Sequence, residues 1–284
     1  MNAVLLMLTV LGLSIQEISK KEYQKRVRGG VFSFFAAYAV LATLVFVITG
    51  KGSFHFTAAA TGYSVAFAAA YCLASIFSFL ALKCGPMSLT SLVLSYSLII
   101  PTFYGILVLG EPTDPMLYIG IALLLISLVL INLEGKREEK KITPRWVLFA
   151  ALAFVGNGAC STIQKMQQTA FDGLYKSEFM IVGLLITAVV LALVAIATER
   201  KQMLPNLKKG VICYSACGIA NGVVNFLVLV LATAMPASVM FPVISAGGIV
   251  LTALVSILLY KEKLSHWQKL GFVLGVAAIV VLNL

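Results

Sequence analysis

Ten runs of apolar residues, each about as long as a bilayer is thick, divide the chain and limit what it can become. A helix rising 1.5 Å per residue needs about 20 such residues to cross a hydrocarbon core of roughly 30 Å. Runs near this length occupy 2–19, 31–48, 57–82, 86–109 and 115–133 in the first half, and 146–168, 179–198, 211–234, 236–260 and 267–284 in the second. With 61% apolar and only 11% charged residues in a chain of 284, there is too little polar surface to cover a water-soluble fold. The chain therefore reads as an all-α polytopic membrane protein with ten transmembrane helices. The opening run has neither a basic segment before it nor a small-residue cleavage site after it, so it reads as a first span and not as a removable signal peptide.

The net charge of +10 arises from 21 Lys and Arg against 11 Asp and Glu. These charges sit in short loops beside apolar runs, which suits anionic lipid and topology signalling and excludes nucleic acid as a partner. Loop one carries Lys20, Lys21, Lys25, Arg26 and Arg28, and loop three carries Lys83. Loop five carries Lys136, Arg137, Lys140, Lys141 and Arg145; loop seven Arg200, Lys201, Lys208 and Lys209; loop nine Lys261, Lys263 and Lys269. The even loops hold only Lys51 and Lys176, and Lys165 lies within span six. The basic loops are expected in the cytoplasm, which puts both termini outside a cell membrane. Cys72, Cys84, Cys160, Cys213 and Cys217 lie in or beside apolar runs without ligand spacing and read as small core residues.

The charged stretch 135–145 divides the chain, so residues 1–134 are expected to form one five-span repeat and 146–284 a second. Tight turns at Cys84-Gly85-Pro86 and Ala234-Met235-Pro236 lie 150 residues apart, and Ala66, Ala70, Val93 and Ser95 match Ala216, Ala220, Val243 and Ser245 at that offset. With one residue inserted, Glu111, Gly120 and Asn132 match Glu262, Gly271 and Asn283. Because each repeat has an odd number of spans, the second enters the membrane upside down: two inverted five-helix repeats.

The repeat ends, Gly85-Pro86-Met87-Ser88 through Leu109-Gly110-Glu111 and Gly120, then Pro236-Ala237-Ser238 through Lys261-Glu262-Lys263-Leu264 and Gly271, resemble the drug/metabolite transporter superfamily, in particular its EamA branch. The resemblance covers nearly the whole chain and is thinnest in the first two spans. At Tyr260-Lys261-Glu262 the chain departs from the Leu-Gly-Glu common in that family. The resemblance implies a solute carrier with a central cavity lined by spans one to four and six to nine, and with spans five and ten as peripheral scaffold.

Polar side chains within a bilayer are costly unless paired or wetted, so their positions mark a candidate pathway. Tyr71 and Ser75 on span three match Asn221 and Asn225 on span eight, each pair one helical turn apart and so on one face. They are the leading candidates to bind a solute; the alternative is that they only hydrogen-bond between helices. Asn157, Ser95, Tyr96, Ser245, Gln16 and Gln164 are further binding candidates. Glu17 and Lys165 occupy equivalent positions near opposite ends of spans one and six, too far apart to pair, and are expected either to guard the two mouths as gates or to snorkel to the interfaces. Gly218 and Gly222 suggest close helix packing. Pro101, Pro242 and Gly247-Gly248 interrupt spans four and nine.

No acidic residue lies deep in a span, so a proton relay through a mid-membrane carboxylate is not expected. There is no HExxH, Walker or GxSxG motif, and both His55 and His266 lie outside the spans. Neither enzymatic activity, a cofactor nor a bound metal is expected. The expected function is secondary transport or facilitation of a small polar metabolite, amino-acid-like or otherwise neutral or zwitterionic, by alternating access. The alternatives are a non-transporting membrane protein that binds lipid or a partner, and an efflux carrier for lipophilic compounds. The expected partners are a small-molecule solute and membrane lipids, with a homodimer left open.

Overall fold

The computed structural model describes residues 2–27, 29–50, 54–85, 87–132, 142–200, 202–258 and 265–282. Pro86, most of the charged linker (135–141), the second repeat end (Lys261, Glu262, Lys263 and Leu264) and Asn283 lie outside the described residues. Among the described residues the regular structure is helical: α1 (Asn2–Arg26), α2 (Val31–Thr49), α3 (Ala58–Cys84), α4 (Met87–Tyr96), α5 (Ile99–Leu107), α6 (Pro115–Asn132), α7 (Pro144–Ala170), α8 (Lys176–Glu199), α9 (Met203–Ala234), α10 (Ala237–Leu258) and α11 (His266–Leu282). Six of these, α1, α2, α3, α7, α8 and α9, are long and apolar enough to cross a membrane. Shorter apolar helical stretches lie at Leu92–Leu107, Pro115–Ile131, Ala237–Gly248 and His266–Leu282.

Side chains placed at the helix starts determine several boundaries. Thr57 accepts from Ala60 N at 3.2 Å, and Thr143 accepts from Trp146 N at 3.2 Å just before Pro144. Asp114 takes Leu117 N at 2.7 Å ahead of Pro115, and Ser265 and Gln268 cap each other's amides at 3.2 and 3.0 Å. Two helices borrow a carboxylate from elsewhere in the chain. Glu199 takes Phe32 N and Ser33 N at 2.9 and 3.0 Å at the head of α2, and Glu111 takes Ala237 N and Ser238 N at 2.7 and 2.8 Å at the head of α10. A carboxylate suits a helix N-terminus because it meets both free amides and the positive end of the dipole.

Three boundaries differ from the apolar runs. Helix α1 continues past residue 19 to Arg26, so Lys20, Lys21, Lys25 and Arg26 ride on helix and not on loop. Lys20 pairs with Glu17 at 2.8 Å and Lys25 with Glu22 at 2.7 Å, spacing that favours continued helix until Gly29 and Gly30 turn the chain at φ 107° and 72°. Helix α9 starts at Met203, well before residue 211, with Pro205 in the first turn where its missing N–H leaves no bond unmade. The run 86–109 is two helices, α4 and α5, broken at Ser97 and Leu98. Pro101 cannot donate to the Ser97 carbonyl, and the turn is closed instead by shorter-range bonds, Ser97 N to Leu94 O at 3.2 Å and Ile100 N to Ser97 O at 3.1 Å.

The two halves of the chain pack against each other. Helix α1 lies along α9, α3 along α7, α2 between α8 and α9, α6 along α11, and α10 against α5 and α11. Large fully buried side chains, Phe46, Phe67, Phe179 and Met180 among them, fill the space where α2, α3, α7, α8 and α9 meet. Gly218 and Gly222 let α9 approach α2, facing Tyr38 and Val45. Among the described glycines the tightest approach to backbone is at Gly156 of α7, where an added Cβ would stand 2.6 Å from the backbone nitrogen of Ala74 and 2.9 Å from the Ala70 carbonyl oxygen. Backbone cannot yield as a side-chain tip can, so Gly156→Ala is expected to push α3 from α7 and destabilise the protein by about 1–3 kcal/mol. Thermal unfolding in detergent checks this, with Gly62→Ala, which meets open space on α3, expected to be neutral or stabilising.

Candidate functional site

Five of the polar residues singled out in the sequence come together in one buried hydrogen-bonded chain at the α1, α3, α7 and α9 junction. Asn221 Nδ2 donates to Gln16 Oε1 at 3.0 Å and, at a longer 3.4 Å, to the Tyr71 hydroxyl. Asn225 Nδ2 donates to the Asn221 carbonyl at 2.8 Å and to Asn221 Oδ1 at 3.1 Å, while its own Oδ1 accepts from Gln164 Nε2 at 2.7 Å. The spacing of Asn221 and Asn225 on α9 makes the last bonds possible, because i and i+4 side chains lie one above the other. Gln16, Gln164, Asn221 and Asn225 are all buried, and Gln16 Nε2 has no partner among the described residues. An unpaired buried donor is expensive, and here it sits on a chain of groups that otherwise satisfy one another.

Tyr38 belongs to the same chain although nothing in the sequence singles it out. Its hydroxyl lies 2.7 Å from that of Tyr71, and the ring packs among Phe34 and Phe35, so its polar tip is hidden in an aromatic stretch. Ser75 is buried one turn beyond Tyr71, and its carbonyl accepts from Ser78 Oγ at 3.1 Å.

The remaining candidates lie elsewhere. Asn157 donates to Ser97 Oγ at 2.6 Å and so ties α7 to the break between α4 and α5, a contact that Gly158 beside it allows. Ser95, Tyr96 and Ser245 line a cleft between α4, α5, α6 and α10 whose free space of about 20 Å³ has room for roughly one water. The Tyr96 hydroxyl donates to the Leu125 carbonyl of α6 at 3.0 Å.

The two charges paired by position in the sequence have opposite surroundings. Lys165 does not snorkel: its side chain is only 8% exposed, and its ammonium donates to the Ala232 and Met235 carbonyls at 2.9 Å each. Glu111, 10% exposed, lies 3.5 Å from that ammonium while it caps α10. One lysine and one glutamate thus hold both sides of the turn from α9 to α10. Burial pushes the Glu111 carboxyl up, but the amides of Ser238 and Ala237 and the Lys165 ammonium pull it below its ordinary 4.5. Glu17, by contrast, is 59% exposed and pairs with Lys20, itself 35% exposed.

A bundle of apolar helices thus surrounds a buried polar chain. Residues 144–284 match the EamA-like transporter family, consistent with the drug/metabolite transporter superfamily. No curated protein matches the chain. Among solved structures, 29 chains match. One, described only as a crystal structure of a protein, aligns with a TM-score of 0.81 at 16% identity, covering 99% of this chain and 95% of its own. At that identity the likeness speaks for the fold alone.

Proposed function

We propose that this protein is a secondary carrier or facilitator in the cell membrane that moves a small polar metabolite by rocking two inverted five-span repeats about the Tyr71–Asn221–Asn225 chain. The observation that carries the reading is the buried polar chain itself, drawn from both halves of the molecule where a purely structural bundle would gain more from apolar packing. The pairing of helices supports the inverted repeat. Exchanging the halves turns the α1 and α9 contact into that of α7 and α3, and leaves α2 with α8 and α6 with α11. On this reading α4 and α5 together make span four, and the chain ends lie outside. Lys165 and Glu111 close the outer mouth, and Glu17 stands at the open cytoplasmic one.

A second reading, a non-transporting protein of the same fold, is favoured by one observation: Asn221, Asn225, Gln164 and Tyr71 already satisfy one another. Uptake into proteoliposomes separates the two. The carrier reading expects saturable uptake of at least one member of a panel of amino acids, nucleosides, sugars, polyamines and lipophilic cations. Folded, reconstituted protein that moves none of them overturns it.

A further inference from the structure

The exposed charges of α1 lie on the wrong side of the helix for a pair that merely faces lipid headgroups. Val4, Met7, Leu8, Leu11 and Ile15 form the stripe of exposed apolar residues on α1. At 3.6 residues per turn, Glu17 and Lys20 fall roughly 135° and 165° around the helix from the centre of that stripe. Their exposure is therefore toward the interior of the bundle. Lys20 follows Gln16 by one helical turn, so the two side chains share a face of α1. Gln16, also next to Glu17 in the chain, is bonded through Asn221 to Tyr71 and keeps an unpartnered donor. The ion pair and the polar chain thus adjoin.

We propose that Glu17 and Lys20 form the charge-reading end of the solute site and select a compact zwitterion, with Lys20 taking its carboxylate and Glu17 its ammonium. This rests on the carrier reading. Without solute the two side chains neutralise each other at 2.8 Å, and a pair that is still partly open to water exchanges partners at less cost than a fully buried one. A zwitterion gives each side chain a new charged partner and leaves the net charge unchanged. A solute with one charge strands the other side chain, and a neutral solute offers neither a partner good enough to replace the one it loses. The selectivity comes from that exchange of partners, while the Tyr71 hydroxyl and Gln16 amide supply neutral hydrogen bonds beside it.

The test measures thermal stabilisation of the purified full chain by the common α-amino acids and glycine betaine. The zwitterion that stabilises most is then compared with its decarboxylated amine and its deaminated acid. The wild-type protein is expected to respond to the zwitterion and not to either fragment. Lys20→Gln is expected to weaken zwitterion binding by about 10- to 100-fold and to bind the amine as well as the zwitterion; Glu17→Gln is expected to do the same with the acid. Glu17 is exposed and Lys20 half-buried, and glutamine leaves no cavity at either position, so both variants should fold. If the zwitterion binds equally to all three proteins, the assignment of Glu17 and Lys20 is wrong. If only a sugar, nucleoside or lipophilic cation binds and is transported, the inference fails while the carrier reading stands. If no solute of any class crosses the proteoliposome membrane, the carrier reading fails and this inference with it.

Discussion

Asn225→Leu is expected to abolish solute flux in proteoliposomes while the protein still inserts and folds. Asn225 is the group through which the two halves of the polar chain communicate: it donates to Asn221 on its own helix and accepts from Gln164 of α7. Leucine keeps the heavy-atom skeleton of asparagine, though its methyl groups are bulkier, and it removes both functions at once. Flux is expected to fall by about tenfold or more for each hydrogen bond the solute or its gating motion requires. Some stability is lost as well, because Gln164 is left buried without its acceptor, a penalty of about 1–3 kcal/mol. The double variant Asn225→Leu/Gln164→Leu removes that orphan. It is expected to recover much of the unfolding temperature and none of the flux. A double variant that regains both would mean the pair serves packing alone, and the polar chain would lose its claim to be the solute site.

The helices were legible to the extent that local chemistry decides them. Apolar length marks the spans, while the caps at Thr57, Asp114 and Thr143 that set where three helices begin emerge only in the structure. Charge was the misleading signal at α1 and α9: Lys20, Lys21, Lys208 and Lys209 mark the end of the apolar run, yet lysine is a good helix former and the helix runs on through them. The interruption of the fourth run follows from Pro101, but its fastening to Asn157 depends on a residue 60 positions away and on the approach that Gly158 permits. Of the polar residues, two pairs at corresponding places in the two halves, Tyr71 with Asn221 and Gln16 with Gln164, do meet in one network. Ser95, Tyr96 and Ser245 do not join it, because their helices turn those faces toward α6. Tyr38 has no polar neighbour in sequence and is found only once the fold brings α2 to α3.

The partner of Lys165 was the least legible feature, and breaking it is expected to have the largest effect on stability. Nothing within span six hints at Glu111, since their contact exists only because the α5–α6 loop folds over the turn between α9 and α10. Lys165→Met keeps the length and apolar stem of the side chain but leaves the Ala232 and Met235 carbonyls without their donor and Glu111 without its cation. Removing one member of a buried ion pair typically costs about 3–5 kcal/mol, and thermal unfolding in detergent is expected to show a loss of that order. The double variant Lys165→Met/Glu111→Gln should be less damaged than the sum of the two single ones, because the glutamine needs no cation and can still accept from the head of α10. The pH dependence carries the same sign. Glu111 is held below 4.5 in the folded protein, so the stability it contributes is complete above that value and is lost as the pH falls through its lower native one. Without Lys165 one of the groups that depress it is gone, and the loss is expected to begin at higher pH. Unfolding temperatures of wild type and Lys165→Met that fall in parallel between neutral pH and pH 4 would show that the lysine and glutamate do not act on each other, and the fastening of the α9–α10 turn would need another explanation.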